Sequence, residues 1–589
     1  MTLDVPVPGS KSMTQRALVM AALASRPLEI RGALPCDDSR HLTALLGALG
    51  ASVAWDADTA RVRPGPLRGT GEPLYCGNGG TTLRFGSCLA LVTDGPLWLD
   101  GDARMRERPV GPLGDALERL GVRVGYPVRQ GFPPLRLERT GPAPAEVTVD
   151  TSLSSQFASG LLLAAPALGR PLTVRLAGDL VSEPYLEMTV RMMERAGIRL
   201  ERPDTRTIRV FPGDYAAGAA GGFTVEPDWS SASFVLAAGF VSGRPVRVPG
   251  LLSPGESLQG DAAFGGMLKA LSTEADPAFD LARTPDLIAP LAACALYARG
   301  PVRIRGAKHT RIKECDRIAV LAAAFRQLGA NITEHADGLD LHPFAAPPAV
   351  DATLDDAGDH RMAMAYGVLS LRSPGVRAAN PGCVSKSFPG FWETLARIRA
   401  AGPLRGPVLI GMRGAGKTEI GRRLASATGL RFVDADAELE RRAGLDIPRV
   451  FERHGEAGFR EREHALLLEL LGEPGTVLAT GGGAVLHAKV REALRERFTV
   501  WLHADPAILA QRVRGSGRPS LTGEPPEAEL PNVFALREPL YRECARMRVD
   551  TSVAGPGEAA EKIGRAWGRE GDDRARERNP KGQEGFKDD

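Results

Sequence analysis

The segment GMRGAGKT, at residues 411–418, has the residue types and spacing that bind the phosphates of a nucleoside triphosphate. It fits the pattern G-x-x-x-x-G-K-[ST], with the apolar residues PVLI before it and a helical sequence, EIGRRLASATG, after it. The glycines allow backbone amides to wrap phosphate oxygens, Lys417 reaches the β- and γ-phosphates, and Thr418 can hold Mg²⁺. We therefore predict an ATP site formed by Gly414, Ala415, Gly416, Lys417 and Thr418.

The residues after this loop suit a small hydroxylated acid. FVDADAEL (432–439) has Asp434 and Asp436 two apart at the end of a predicted strand, so both side chains would lie on the same side of it. FRERE (459–463) and LREPLYRECA (536–545) supply arginines for bidentate binding of a carboxylate. LATGGGAV (478–485) is a strand that runs into three glycines, and GRPSL (517–521) adds another arginine.

Six polar loops recur in the first 400 residues, each between a short apolar strand and an Ala/Leu-rich helix. They are PGSKSMTQR (8–16), GNGGTTLR (77–84), DTSLSSQF (150–157), EPDWSSASF (226–234), RTPDLIAP (283–290) and GDHRMAMA (358–365), at intervals of 55 to 76 residues. This repetition predicts a pseudo-symmetric α/β assembly. The chain has ten lysines among 74 basic residues, and four of them (Lys11, Lys313, Lys386 and Lys417) fall in motifs described here, which indicates sites that need a compact ammonium group.

Composition narrows the class of protein. The chain has 589 residues, of which 43% are apolar and 25% are charged, with a formal net charge of +3. A soluble protein of several globular units is expected, and a strongly basic nucleic-acid binder is disfavoured. No apolar run approaches a membrane span, and the seven scattered cysteines indicate reduced thiols in the cytoplasm. Residues 401–407 are interpreted as a linker, and the charged stretch 568–589 is predicted to be disordered.

The first 400 residues resemble the EPSP synthases (5-enolpyruvylshikimate-3-phosphate synthases). The resemblance rests on four of the loops above and on RMRERPVG (104–111), LVSEPY (180–185), RIKECDR (311–317) and VSKSFPGFW (384–392). It implies a reaction that joins shikimate 3-phosphate and phosphoenolpyruvate with release of phosphate, without a cofactor. It also implies a two-lobed monomer of six βαβ-type repeats, with an upper lobe at about 11–226 and a lower lobe at about 1–10 and 227–397.

The same resemblance assigns site residues. Those expected to bind shikimate 3-phosphate are Lys11, Ser12, Arg16, Ser154, Ser155, Gln156, Ser182, Tyr185, Asp286 and Lys313. Those expected to bind phosphoenolpyruvate are Lys11, Gly80, Arg108, Gln156, Arg317, Arg361 and Lys386. Asp286 is expected to take the proton of the attacking 5-hydroxyl, while Glu314 and Lys11 serve protonation at the enolpyruvyl methylene. In the empty protein so many cations should repel one another and hold the lobes apart until anions bind.

Residues 408–567 resemble the shikimate kinases, which implies a three-layer αβα P-loop fold. The implied shikimate site consists of Asp436, Arg460, Gly482, Gly483 and Arg537. Asp436 also orients the attacking hydroxyl and accepts its proton. Arg518 is expected to contact ATP and stabilise the transferring phosphoryl group, and Asp434 to hold Mg²⁺ with Thr418.

Two alternatives remain open for this second part. It could phosphorylate another small hydroxylated substrate, such as a sugar acid, although the set of Asp436, Arg460 and Arg537 argues against that. It could instead be a non-catalytic ATP-binding module that regulates the synthase, since the segment before Arg518 looks about one residue short. In every case we expect small-molecule substrates as partners, and no nucleic acid or membrane.

Overall fold

A computed structural model describes residues 2–142, 144–218, 221–402, 405–428, 430–514 and 524–578. Within them the chain forms two compact units. The first comprises Asp4–Val241 and Arg247–Arg397, and the second consists mainly of the chain from Ile398 onward, together with Ser242–Val246 and the residues before Asp4. Each unit has its own hydrophobic core. In the sequence, one buried cluster of the first unit extends from Met13 to Leu258, and the cluster of the second unit extends from Val408 to Trp567. No helix among the described residues is long and apolar enough to cross a membrane.

The first unit is built from short strands. They are β1 (Leu3–Asp4), β2 (Leu28–Arg31), β3 (Ser52–Asp56), β4 (Thr59–Arg63), β5 (Pro73–Tyr75), β6 (Leu97–Asp100), β7 (Val122–Gly125), β8 (Leu135–Arg139), β9 (Glu146–Asp150), β10 (Leu172–Ala177), β11 (Leu200–Asp204), β12 (Thr207–Val210), β13 (Gly222–Thr224), β14 (Val246–Arg247), β15 (Ala278–Asp280), β16 (Val302–Arg305), β17 (Ile332–His335), β18 (Gly338–Leu341), β19 (Ala352–Leu354) and β20 (Val376–Ala378). Their side chains alternate between core and solvent, as the burial of β4 and β9 illustrates.

The helices cover these strands. They are α1 (Lys11–Ala22), α2 (Asp37–Leu49), α3 (Gly80–Leu89), α4 (Gly111–Arg119), α5 (Gln156–Ala164), α6 (Glu183–Arg195), α7 (Tyr215–Gly218), α8 (Trp229–Ser242), α9 (Phe264–Thr273), α10 (Ile288–Ala295), α11 (Arg317–Gln327), α12 (His360–Leu369) and α13 (Phe391–Ala401). Several of them begin inside the polar loops singled out from the sequence. Their first turns therefore present free backbone amides at those loops.

One sheet topology recurs in the first unit. Four sheets have the orders β13-β2-β4-β3, β5-β6-β8-β7, β11-β12-β10-β9 and β15-β16-β18-β17, and each joins one parallel pair to antiparallel neighbours. Two more sheets, β1-β14 and β19-β20, have two strands each. The described residues of this unit thus contain six sheets, in agreement with the predicted pseudo-symmetric α/β fold. We call the part with β2–β13 the upper lobe and the part with β1 and β14–β20 the lower lobe.

The second unit is a parallel α/β domain. Its elements are β21 (Val408–Ile410), α14 (Lys417–Thr428), β22 (Arg431–Asp434), α15 (Ala435–Ala443), α16 (Ile447–Gly472), β23 (Thr476–Ala479), α17 (Ala488–Arg495), β24 (Thr499–His503), α18 (Pro506–Val513), α19 (Pro526–Cys544), β25 (Met547–Asp550) and α20 (Pro556–Arg578). The strand order is β22-β23-β21-β24-β25, and all neighbours are parallel. β21 lies at the centre of the sheet and is fully buried. Its carboxyl end leads directly into the glycine-rich loop, at the edge of the sheet where ligands bind in such folds.

Two expectations from the sequence are corrected here. Asp436 is not on a strand beside Asp434, because β22 ends at Asp434 and α15 begins at the next residue. The carboxylate of Asp434 accepts a hydrogen bond from the Asp436 amide, which caps the helix. In addition, α20 extends through 568–578, where disorder was predicted. Glu and Arg are good helix formers, so an anchored helix can continue without apolar residues; residues 579–589 lie outside the described part.

Candidate functional sites

The first unit contains a cavity between its two lobes that is lined almost wholly by polar and charged side chains. The upper lobe contributes the loops and first turns of α1, α3, α5 and α6. The lower lobe contributes Asp286, the segment 309–317 and the start of α12. Of the residues predicted for the synthase site, those that line this cavity are Lys11, Ser12, Gly80, Arg108, Ser154, Ser155, Gln156, Ser182, Tyr185, Asp286, Lys313, Glu314, Arg317 and Arg361.

Asp286 lies at the centre of a ring of donors. Its carboxylate pairs with Lys313 at 2.9 Å, Arg317 at 2.8 Å and Arg361 at 3.0 Å. The Tyr185 hydroxyl donates to it at 2.9 Å. Burial alone would raise the pKa of Asp286, but Arg361, Lys313 and Arg317 hold it well below its ordinary value. The carboxylate is therefore ionised and can accept a proton from a bound hydroxyl.

Glu314 forms a second ion-pair centre. It pairs with Arg317 at 2.9 Å and with Lys386 at 3.1 Å. Burial would raise its pKa, but Lys386 and Arg317 keep it well below the ordinary value. Lys386 also donates to the Asn78 carbonyl of the upper lobe at 2.9 Å, which brings this predicted residue to the edge of the cavity.

The upper lobe holds its cations with local partners. Lys11 pairs with Asp38 at 2.8 Å, and Arg108 donates to both oxygens of Asn78. A Cβ atom on Gly80 would come within 2.7 Å of the Arg108 guanidinium, so a side chain at this position would displace that group. Arg84 donates to Gln156 at 2.7 Å and to Ser154 at 3.2 Å.

Three residues that were predicted to contact substrate, Ser155, Ser182 and Arg16, form hydrogen bonds within the protein. The Ser155 hydroxyl donates to the Ser182 carbonyl, and Ser182, the residue before α6, has a left-handed φ of 55°. Arg16 does not line the cavity. Its guanidinium donates to the carbonyls of Ser12 and Tyr185 and to the Thr189 hydroxyl, so it supports the cavity wall from behind.

The predicted site lacked Asp38, His309 and His360, which line the cavity, and Asp359, which pairs with Arg317. Asp38 and Asp359 neutralise Lys11 and Arg317, the latter at 2.7 Å. His309 Nε2 and both ring nitrogens of His360 have no hydrogen-bond partner, and burial lowers the pKa of both rings, that of His309 to about 4. Asp359 and His360 lie in the quoted motif GDHRMAMA and could have been found there. Asp38 belongs to none of the motifs quoted from the sequence, and only the tertiary fold brings it close to Lys11.

These carboxylates bear on one expectation. The cations were expected to repel one another and to hold the lobes apart until anions bind. Internal carboxylates pair with the cations, and hydrogen bonds join the lobes. The Ser385 hydroxyl, for example, donates to Asp37 at 2.5 Å from lobe to lobe. Separation of the lobes without substrate stays a prediction. Ion pairs made within the protein replace those that substrates would form, because a buried cation needs a partner.

The second unit has its own cavity at the carboxyl ends of β21, β22 and β23. Gly414 and Gly416 have positive φ values of 82° and 87°, which the wrapped loop requires. Lys417 donates to the carbonyls of Gly411 and Met412 at 2.8 and 2.9 Å. Ala415 is buried, so only its backbone can face phosphate. The loop thus has the shape expected of an ATP site.

The remainder of this cavity combines carboxylates and arginines around three glycines. Asp434, Asp436, Arg460, Gly482, Gly483 and Arg537 all line it, as predicted from the sequence. Arg460 pairs with Glu463 at 2.6 Å, and Arg537 donates to the Gly482 carbonyl at 3.0 Å. The Tyr541 hydroxyl, which was not predicted, also donates to that carbonyl. Arg518 lies outside the described residues.

The donor set suits a magnesium ion. Thr418 Oγ1 donates to Asp434 Oδ2 at 2.6 Å, beside the phosphate-binding loop. A hydroxyl and a carboxylate are hard oxygen ligands, and Mg²⁺ commonly combines one or two such groups with substrate phosphates and water. Thr418 and Asp434 therefore fit the role given to them from the sequence.

The fold and the two cavities define an enzyme that handles phosphorylated and carboxylated small molecules, joined to a P-loop nucleotide-binding domain. The family model for EPSP synthase (3-phosphoshikimate 1-carboxyvinyltransferase) matches residues 1–395, and the chain belongs to this family. The model for shikimate kinase matches residues 413–567, so this part is a shikimate kinase domain.

Individual relatives agree with the first assignment. The 3-phosphoshikimate 1-carboxyvinyltransferase of Aliivibrio fischeri (strain MJ11) is 36% identical over 415 residues, covering 67% of this chain and 96% of the relative. That of Bordetella petrii is 38% identical over 438 residues, covering 68% and 95%. A solved structure of EPSP synthase from Acinetobacter baumannii covers 67% of this chain and 95% of its own, with a TM-score of 0.55 and 22% identity, and shows the shared fold. The chain thus has the domains of a bifunctional shikimate-pathway enzyme.

Proposed function

We propose that the two units catalyse consecutive reactions on one substrate. The second unit phosphorylates shikimate with ATP, and the first transfers the enolpyruvyl group of phosphoenolpyruvate to the resulting shikimate 3-phosphate. The observation that carries this proposal is the occurrence in one chain of two cavities. One joins a phosphate-binding loop to a pocket of arginines and carboxylates, and the other surrounds Asp286 and Glu314 with cations.

In the proposed kinase step, Arg460 and Arg537 bind the carboxylate of shikimate. Asp436 orients the 3-hydroxyl and accepts its proton as the oxygen attacks the γ-phosphorus and ADP leaves. Lys417 and Arg518 bind the phosphates. Mg²⁺, held by Thr418 and Asp434, supplies charge neutralisation at the phosphate oxygens when it is bound.

In the proposed synthase step, Asp286 accepts the proton of the 5-hydroxyl while its oxygen bonds to the central carbon of phosphoenolpyruvate. Lys11 and Glu314 serve the proton that adds to the methylene carbon. Loss of a proton from the same carbon then restores the double bond as phosphate leaves. The cations around both carboxylates bind the two phosphates and two carboxylates of the substrates.

The proposal places the enzyme in the cytoplasm, with the synthase part active as a monomer and without a cofactor. Sedimentation of the purified protein during turnover would test the monomeric state. An activity found only in a larger species would contradict it.

The test of the function uses the full chain with shikimate, ATP, Mg²⁺ and phosphoenolpyruvate, and follows ADP and free phosphate together. We expect both products, with phosphate release dependent on ATP and shikimate. Phosphate from added shikimate 3-phosphate without ADP from shikimate would refute the kinase assignment. A panel of sugar acids in place of shikimate tests the alternative substrate class, which a faster rate with any of them would support.

A further inference from the structure

Arg104 connects the two lobes of the first unit through backbone carbonyls. It precedes a single 3₁₀ turn, Met105–Glu107, in the loop between β6 and α4 of the upper lobe. Its guanidinium reaches the lower lobe. There Nη2 donates to the Lys313 carbonyl at 2.8 Å, and Nε donates to the carbonyls of Lys313 and Glu314 at 3.2 and 3.0 Å.

These carbonyls belong to two adjacent residues whose side chains face the cavity. Lys313 pairs with Asp286, and Glu314 pairs with Arg317 and Lys386. The segment ends a 3₁₀ turn, and Lys313 has an irregular backbone, with φ −84° and ψ −144°. No strand pairing fixes its peptide planes, so a donor at both carbonyls determines where the two side chains point.

The remaining arm of Arg104 is tied within its own loop. Nη1 pairs with Glu107 at 2.7 Å, and Glu107 is 63% exposed. One end of the guanidinium is thus anchored in the upper lobe, and the other reaches across. Because donor and acceptors come from different lobes, the three hydrogen bonds exist only while the lobes are together.

We propose that Arg104 is a positioning residue of the enolpyruvyl transfer, which aligns the Lys313 ammonium and the Glu314 carboxylate when the lobes meet. Arg104 does not line the cavity, and its contacts in the lower lobe are the carbonyls of Lys313 and Glu314, so its removal leaves the charged groups that line the cavity in place. Lys386 and Ser385 also join the lobes, but their partners in the upper lobe are the Asn78 carbonyl and the Asp37 side chain. The backbone of the 313–314 segment takes its alignment from Arg104.

The test compares Arg104→Ala and Arg104→Lys with two neighbouring controls, Glu107→Gln and Arg106→Ala. Arg106 is in the same turn and pairs with Asp100 at the surface. We expect Arg104→Ala to lower kcat of the synthase about 30-fold while the Kd for shikimate 3-phosphate changes less than threefold. Lysine keeps the charge but cannot bridge two carbonyls in the guanidinium geometry, so recovery in Arg104→Lys should be partial. Arg106→Ala should stay within twofold of the parent, and Glu107→Gln, whose amide oxygen can still accept from Arg104, should lose less than Arg104→Ala.

Two results would overturn the proposal. One is a kcat within twofold of the parent for Arg104→Ala. The other is a loss of kcat that is matched by weaker binding of shikimate 3-phosphate and a lower Tm, since that pattern indicates a purely structural residue. Kinase activity with shikimate, measured on the same samples, verifies the concentration of intact protein.

Discussion

Asp286 is flanked by Lys313, Arg317 and Arg361, and these three cations hold its pKa well below the ordinary value of an aspartate. In the proposed mechanism, bound phosphate and carboxylate groups would share those cations, so that the pKa of Asp286 would rise toward a value suited to proton transfer. The residue would thus gain basicity from the substrates.

The first prediction concerns this carboxylate. Asp286→Asn should lower kcat of the synthase about 10²- to 10⁴-fold, the usual contribution of a general base. Binding of shikimate 3-phosphate should persist, because Lys313, Arg317 and Arg361 keep their charge. Phosphate release and calorimetric titration provide the two readouts. Asp276→Asn, at an exposed pair with Arg303, is the control; equal kcat values for both variants would show that Asp286 is not the base.

The second prediction concerns Gly80. Alanine there would bring its Cβ within 2.7 Å of Arg108 and displace the guanidinium. The KM for phosphoenolpyruvate should rise about tenfold, since a hydrogen bond to a charged group contributes roughly 1.5–3 kcal/mol. Gly47→Ala, in α2 with open space around the new methyl group, should leave KM unchanged. A Gly80→Ala enzyme with the parental KM would remove Arg108 from the proposed phosphoenolpyruvate site.

The third prediction concerns Asp261, which is buried near Asp286. Burial, with the charge of Asp286, raises its pKa from 3.8 to about 6. Its contribution to stability is therefore complete below pH 3.8 and is lost as the pH rises through 6. Asp261→Asn should be more stable than the parent at pH 8, by up to about 3 kcal/mol at 1.36 kcal/mol per pKa unit. The advantage should vanish near pH 4.

Scanning calorimetry of both proteins from pH 4 to pH 8 measures this difference. Asn can still accept the hydrogen bond from Ser230, so the comparison isolates the charge. A Tm difference that is independent of pH would contradict the assigned cause.

At the scale of elements, the loop after β23 brings opposite charges together because it lacks side chains. A Cβ on Gly481 would lie 2.8 Å from both Asp436 and Glu463, and one on Gly483 would lie 2.6 Å from Arg460. Because these glycines have no side chains, the Asp436 and Glu463 carboxylates and the Arg460 guanidinium can lie close to the backbone of the loop.

The fourth prediction follows from the close approach of Arg460 to Gly483. Gly483→Ala should displace Arg460 and raise the KM for shikimate about tenfold, while the KM for ATP stays within twofold. Gly472→Ala, at the end of α16 where nothing lies within 4 Å of the new methyl group, is the matched control. A parallel increase in both KM values would instead indicate a general distortion of β23 and its loop.

The sequence predicted elements better than it predicted the partners of charged residues. Polar loops before helices identified most cavity-lining residues, because catalytic groups and helix N-termini occupy the same positions in the chain. It missed Asp38, since this partner of Lys11 is 27 residues away and belongs to no motif. It also misjudged Asp436, because a period of two was extended past Asp434, where the capping carboxylate starts α15.

At the scale of the whole molecule, the two units have separate hydrophobic cores, and the described members of the two clusters share no residue. Each unit can therefore lose its chemistry without unfolding the other. A variant that cannot use ATP can therefore distinguish the two alternatives. A kinase domain should leave the synthase rate unchanged, and an ATP-binding regulatory module should alter it.

The fifth prediction uses that separation. Lys417→Met should abolish ADP formation from shikimate and leave the rate with added shikimate 3-phosphate and phosphoenolpyruvate within twofold of the parent. The loss follows from removal of the ammonium group at the β- and γ-phosphates. Lys489→Met, at an exposed position of α17, is the control. A changed synthase rate in Lys417→Met would favour the regulatory module.

The neutralised cavity of the first unit has a consequence for ligand selection. Five cations of this site are each paired with a carboxylate of the protein: Lys11, Lys313, Arg317, Arg361 and Lys386. An entering molecule gains only the difference between its own ion pairs and those that the protein gives up. An uncharged compound offers these cations no new ion pair, so we expect neutral compounds to bind this cavity more weakly than dianionic compounds of similar size. Compact molecules with two or more negative groups are the chemotype that this cavity admits.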